Sequence, residues 1–332
     1  MIRLSIPATS ARNVGGTVYI AVAEGGKCRV ARLRGEGVEG AVSVPGSPCV
    51  LLWARGGELL ISAGSTLYLV SGGEARPVLR AGAGNWFWHA AECCGAVFVQ
   101  EYGEPPTGIY ASEDLASFRR AVTNVDVDPT SRHFHYIAFD RDRELLIATL
   151  GDGNIVRAAV SGDRGLTWRP VYRGAWQFVP VLVEGERWVF GFDSGIARGG
   201  VGIYDVEGRR WRFIFLRLGG CPHAQFASLV KLGGYYVGGL GSPTAIIVSQ
   251  DLMRWYPLYV DMSIPGYNHF VSVEVWGDRV IATTGRELLV FGPDDIKGAF
   301  SRGPVLAPYG AYLDRVRGAA YVVRRKLREL GV

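Results

Sequence analysis

Lysine is nearly missing from this 332-residue chain: four stand beside 32 arginines, and asparagine and glutamine together number nine. That skew fits a GC-rich genome or a hot habitat and does not separate the two. Long apolar runs are also absent. The first residues, MIRLSIPATSARNVGG, hold no stretch long enough for a signal peptide, and no later run could span a membrane. A soluble cytoplasmic protein with no membrane partner is expected. The cysteines (Cys28, Cys49, Cys93, Cys94 and Cys221) are few, odd in number and irregularly spaced. They form neither a zinc pattern nor a disulfide framework, so buried free thiols are expected, with one bridge as the alternative. The net charge is +5, but residues 309–332 hold six Lys/Arg against Asp314 and Glu329, a balance of +4. The body carries about +1, too little for a basic groove, so nucleic acid could be met only through the C-terminal segment.

Glycine is plentiful (46), and short apolar runs recur between turn residues, as many short strands require. The runs repeat. WFWHAAEC from Trp86, HFHYIAFD from His133, QFVPVLVE from Gln177, QFASLVKL from Gln225 and HFVSVEVW from His269 start 47, 44, 48 and 44 residues apart. That is the spacing of propeller blades. Two weaker units precede them, built on Thr17–Ala23 with Cys28–Leu33 and on Cys49–Ala54 with Leu59–Ala63. The expected fold is all-β, a seven-bladed β-propeller with blades near 16–45, 48–80, 86–122, 132–174, 177–216, 224–260 and 267–301. Six blades is the alternative. Ile2–Ile6 alternates and is otherwise orphaned, so it is the expected closing strand. After Pro308 the period changes to 3.6: Leu313, Val316, Ala320, Val323, Leu327 and Leu330 share one helical face. The chain therefore divides into a propeller, 1–308, and a basic amphipathic helix, 309–332, expected to dock by that apolar face. An attachment for a partner, an acidic surface or RNA is the other use of such a helix.

The turn Ser161-Gly-Asp-Arg-Gly-Leu-Thr-Trp168 has the pattern S-x-D-x-G-x-x-W. Asp163 can accept from its own turn's amides, Gly165 can supply a positive φ, and Trp168 opens the next strand as an anchor. Weaker echoes fall in phase with the repeat at Ser112–Phe118, Tyr204–Trp211, Ser249–Trp255 and Pro293–Phe300. On these turns the chain resembles the Asp-box (BNR-repeat) sialidase-like β-propellers. The resemblance implies the fold, and an activity among sialidases, other glycan-active enzymes and non-catalytic assembly factors. The aromatic-Arg-Ile-Pro motif of sialidases is not matched by Arg3-Leu-Ser-Ile-Pro7, so a typical sialidase is not implied. A second likeness, resting on residue types alone, is to seven-bladed oligosaccharide lyases that hold a metal with histidines and a glutamine.

In a propeller each inner strand starts on the face where the loop between the second and third strands opens. The scarce polar residues cluster there. All five histidines lie within three residues of an inner-strand start, joined by Gln177 and Gln225. His133, Gln177, Gln225 and His269 are candidate ligands of a divalent metal at this axial mouth. His89, His135, Arg132, Arg198 and Trp86 are candidate substrate-binding residues. The loops supply Glu101, Asp152 and Asp193 as candidate acid and base for glycosidic cleavage. The same polar ring would also suit inner-edge backbone groups and channel water. Two functions stay open. One is glycan binding or cleavage by a hydrolase or lyase, with carbohydrate at the mouth. The other is a non-catalytic intracellular scaffold with a protein ligand there.

Overall fold

Short apolar runs ended by glycine-bearing turns bury themselves by pairing into sheets and stacking the sheets. In the computed structural model, which describes residues 1–35, 37–264 and 266–330, they form seven antiparallel sheets, six of four strands and one of five. The inner strands are Ala8–Val14, Cys49–Arg55, Trp86–Cys93, His133–Asp140, Phe178–Glu184, Gln225–Leu232 and Ser272–Trp276. Each packs against the inner strands of both neighbouring blades, which makes a seven-bladed β-propeller. Ile2–Leu4 pairs with Leu288–Val290 and supplies the fourth strand of the seventh blade.

Two expectations about the blades are corrected. The first blade is displaced by one strand: Ala8–Val14 is its inner strand, and Thr17–Glu24 and Lys27–Arg34 are its second and third. In the seventh, Pro293–Ala299 is a helix rather than a box-like turn, because Asp295 in its first turn accepts from the Gly292 amide at 2.9 Å.

The Ser161–Trp168 turn is built from its own side chains. Asp163 Oδ1 accepts from the Thr167 amide at 2.8 Å, the Gly165 amide donates to Ser161 Oγ at 2.9 Å, and Gly165 sits at φ +82°. Hydrogen bonds from the Thr167 hydroxyl and amide hold the Asp163 carboxyl down at about 2. Such a group adds stability that is whole above its unfolded value of about 4 and lost as pH falls through its folded value. The melting difference between wild type and Asp163→Asn is therefore expected to be full at about pH 5 and to vanish below about pH 2. A difference that does not shrink would remove the carboxylate from this account. Of the tryptophans that close these turns, Trp255 is fully enclosed, whereas Trp168 and Trp211 are half-buried.

Cys28 and Cys49 are joined by a disulfide from the third strand of the first blade to the inner strand of the second, so free thiols are confined to Cys93, Cys94 and Cys221. Chain spacing could not reveal this pair, because adjacent blades set it. Titration in denaturant is expected to count three thiols before reduction and five after. Cys28→Ser should cost about 2–4 kcal/mol. Five thiols without reduction would rule the bridge out.

Beyond the seventh blade the chain doubles back. Leu306–Pro308 adds a fifth strand to the fifth blade beside Leu216–Leu218, and helix Tyr312–Glu329 follows. Of the segment 309–332, residues 331 and 332 lie outside the described residues. The helix docks by the face opposite to the one expected. Asp314 and Gly318 are buried, Tyr321, Val322 and Arg325 are half-buried, and Leu313, Val316, Val323, Leu327 and Leu330 are exposed. The propeller offers this helix a buried arginine and the Trp176 ring, which call for a hydroxyl and a glycine rather than leucines.

Candidate functional site

His133 pairs with Gly151, so the start of the fourth blade's inner strand lies beside the loop after its second strand. His133 and His135 are two apart and share a face of the strand. Gly151 leaves the space that the His135 ring fills, since a Cβ there would overlap Nε2. Both rings are anchored through Nδ1, His133 to the Gly103 carbonyl at 2.7 Å and His135 to the Phe178 carbonyl at 3.1 Å. A carbonyl only accepts, so each Nδ1 carries a proton and each ring turns its Nε2 inward. The two Nε2 atoms are 3.2 Å apart, and Asp152 Oδ2 is 3.3 Å from that of His133. Ligand atoms of these three residues all lie within 4.8 Å of one another. Three electron-pair donors facing each other repel unless positive charge sits among them, either a second proton on His133 or a cation.

The carboxylate is held in place from behind. Asp152 sits at φ +56°, a left-handed conformation uncommon outside glycine and found where surroundings enforce it. Its Oδ1 accepts from Gln177 Nε2 at 2.9 Å, and Gln177 Oε1 accepts from Arg157 Nη1 at 3.0 Å. Arg157 is buried, and its Nη2 donates to the Tyr321 hydroxyl of the C-terminal helix at 3.0 Å. The next blade repeats the arrangement, with Gln225 Nε2 donating to Asp193 Oδ1 at 2.8 Å and Asp193 Oδ2 lying 3.7 Å from His135 Nδ1. With the second proton on His133, its hydrogen bond holds Asp152 well below the usual carboxylate range, so the carboxylate stays ionised. Burial, aided by the charge of Asp152, raises Asp193 to about 7. Burial lowers His135 to about 3 and His269 to about 4, with His133 adding to both.

His269 does not join this cluster. It stands in an aromatic wall, 5.1 Å from the Trp88 ring, 5.6 Å from Tyr102 and 4.8 Å from Tyr267, with Trp86 behind. Its Nδ1 is buried without a hydrogen-bond partner among the described residues. The inner strand after it starts at Ser272, later than expected. Wall and carboxylates enclose a cup of about 380 Å³ lined by Trp88, Tyr102, Asp152, Asp193, Tyr267 and His269, among others. Gln177 and Gln225 also line it, with their amides turned to the two aspartates.

The remaining candidates lie elsewhere. His89 donates through Nδ1 to the His135 carbonyl and lines a separate cavity of about 260 Å³ with Arg12 and Glu274. Glu101 is buried, and its two oxygens accept from Gly82, Asn85, Gly108 and Tyr110. Arg132 pairs with Glu104. Arg198 lines another cavity with Arg217 and Arg317. Sequence reasoning missed Trp88, Tyr102 and Tyr267 as the wall. The Asp–Gln pairing across blades was signalled by the repeat, since each Gln opens the blade after its Asp.

No protein-family model matches the chain, and no curated protein does. Solved structures share its fold. The extracellular domain of a hybrid two component system from B. thetaiotaomicron superposes with a TM-score of 0.64 at 9% identity, over 87% of this chain and 38% of that one. Kuenenia stuttgartiensis hydrazine synthase gives 0.60 at 13% identity, over 88% and 97%. A chain of the Mitotic Checkpoint Complex gives 0.60 at 11%, over 88% and 93%. This chain thus spans about 38% of the B. thetaiotaomicron extracellular domain it matches. At such identities the likeness is one of fold alone. No helix among the described residues is long and apolar enough to cross a membrane.

Proposed function

We propose that the cup holds a divalent cation on His133 Nε2, His135 Nε2 and Asp152, and that cation and aromatic wall together bind a hydroxyl-rich ligand of the glycan class. The observation that carries this reading is the convergence of two imidazole Nε2 atoms and a carboxylate oxygen. Both Nδ1 atoms are tied to carbonyls and Gln177 orients the carboxylate, as ligands of a metal commonly are. Two nitrogens and an oxygen suit zinc, manganese or iron(II), with positions left for ligand oxygens. Aromatic rings stack on the apolar faces of sugars, and among the described residues no arginine lines the cup to select a sialic acid carboxylate. The resemblance of the turn of Ser161, Asp163, Gly165 and Trp168 to those of Asp-box propellers agrees with such a ligand.

Protein purified without chelator is expected to carry about one equivalent of divalent metal. His133→Ala, His135→Ala and Gly151→Ala should each leave less than about a tenth of that, by elemental analysis. Wild-type protein that stays metal-free after incubation with zinc and manganese salts would sink the proposal. Calorimetry with neutral and acidic oligosaccharides, with and without metal, then tests the glycan class.

The second reading is a scaffold, favoured by the exposed apolar face of the C-terminal helix. A stoichiometric protein partner in native purification, with no glycan bound, would put it first. The Cys28–Cys49 bridge would persist in an oxidising compartment or in the cytosol of a hyperthermophile.

A further inference from the structure

Helix Tyr312–Glu329 turns its apolar side away from the protein. Its docked residues, Asp314, Gly318, Tyr321 and Arg325, recur every three or four positions. At about 100° per residue, Leu313, Val316, Ala320, Val323, Leu327 and Leu330 lie on the opposite side. Leu313 is 65% exposed, Val323 56% and Leu330 77%, and Tyr312 at the helix start is 75% exposed. Arg317, Arg324 and Arg328 run along one edge of the stripe, and Arg315 and Lys326 along the other. The acids stay out of it: Asp314 is buried under the helix, where it accepts from the Arg198 amide, and Glu329 lies toward the docked side.

We propose that this helix is a surface anchor that lays its leucine–valine stripe into an anionic lipid bilayer. The occupant must be apolar opposite the stripe and negative along both edges. A lipid leaflet with acidic headgroups meets both demands at once, with arginine stems lying along the acyl boundary and their guanidiniums among phosphates. A second copy of the helix is a poor fit, because it would set arginines against arginines along both edges. The helix is about 27 Å long and lies in the interface plane, which is distinct from crossing it. It rests on the loops that carry Asn154 and Arg198, so the cup opens on the same side of the disc. Docking would bring the cup's mouth near the headgroups. The anchor stands independently of any metal in the cup.

The test is co-sedimentation of the full chain with vesicles of phosphatidylcholine alone or with about a quarter phosphatidylglycerol. Binding is expected only to the anionic vesicles, and it should fall roughly tenfold between about 50 and 500 mM salt. Val323→Glu with Leu327→Glu should weaken it at least about tenfold while melting temperature and metal content stay unchanged. Arg324→Glu with Arg328→Glu should do the same through the edge. Three results overturn the proposal: no sedimentation with anionic vesicles, full binding by the Val323/Leu327 variant, or a wild-type dimer that this variant converts to monomer. The third would assign the face to a second copy, and a retained acidic protein that the same variant releases, with no vesicle binding, would assign it to that partner.

Discussion

Trp255→Ala is expected to be the most destabilising single change in the outer part of the ring, at about 3–5 kcal/mol. The side chain is fully buried, its ring lies 5.3 Å from Phe226, and Leu240, Ile247 and Leu306 complete its cluster. Truncation removes that packing and leaves a cavity between the fifth and sixth blades that rigid sheets cannot close. The Trp255 amide donates to the Leu306 carbonyl at 2.9 Å, and the Val305 amide returns a bond to the Trp255 carbonyl at 2.9 Å. Alanine keeps both backbone bonds, so the expected loss is that of the side-chain packing alone. Urea and thermal unfolding check this, and a loss below about 1 kcal/mol would mean the cluster collapses around the gap.

Arg157→Ala should cost about 3 kcal/mol or more and should also weaken metal binding by about 10–100-fold. The buried guanidinium donates to Asn154 Oδ1 at 2.8 Å, Gln177 Oε1 at 3.0 Å, the Gly174 carbonyl at 3.3 Å and the Tyr321 hydroxyl at 3.0 Å. Removing it strands these acceptors away from water and frees Gln177, which positions Asp152. Arg157→Lys should recover little, because an ammonium cannot span the same fork. Metal affinity measured well below the melting temperature separates the two effects. An unchanged affinity in folded Arg157→Ala would limit the arginine to stability.

The blades were legible because a strand run every 44–48 residues records a repeated burial demand. The first inner strand was not, because Ala8–Val14 is largely polar. Its polar groups are met by its neighbours: Ser10 Oγ accepts from the Leu51 amide at 2.7 Å, and Asn13 Nδ2 donates to the Val275 carbonyl at 3.0 Å. A strand that buries itself through hydrogen bonds carries no hydrophobic signature. The helix misled for the opposite reason. Its apolar periodicity was read correctly as one face, but the propeller binds the other through Tyr321 and Gly318. At the mouth, strand phase identified the histidines, whereas reach decided between Gln and Asp. From the head of the next blade Gln177 spans to Asp152, while the short aspartate on its left-handed residue comes nearest the imidazoles.

The seventh blade takes three strands from residues 272–291 and its fourth from residues 2–4. On the ribosome this imposes an order of events. Of the ring's strands the earliest made has no partner until almost the whole ring has been made, and must stay unpaired while six blades stack. Contacts this far apart in sequence make closure slow. Until it happens, Leu288–Phe291 presents an open, apolar strand edge of the kind that recruits other chains. Blocking the pairing, for example with proline at Arg3, would thus show first as aggregation of newly made protein rather than as loss of a local contact.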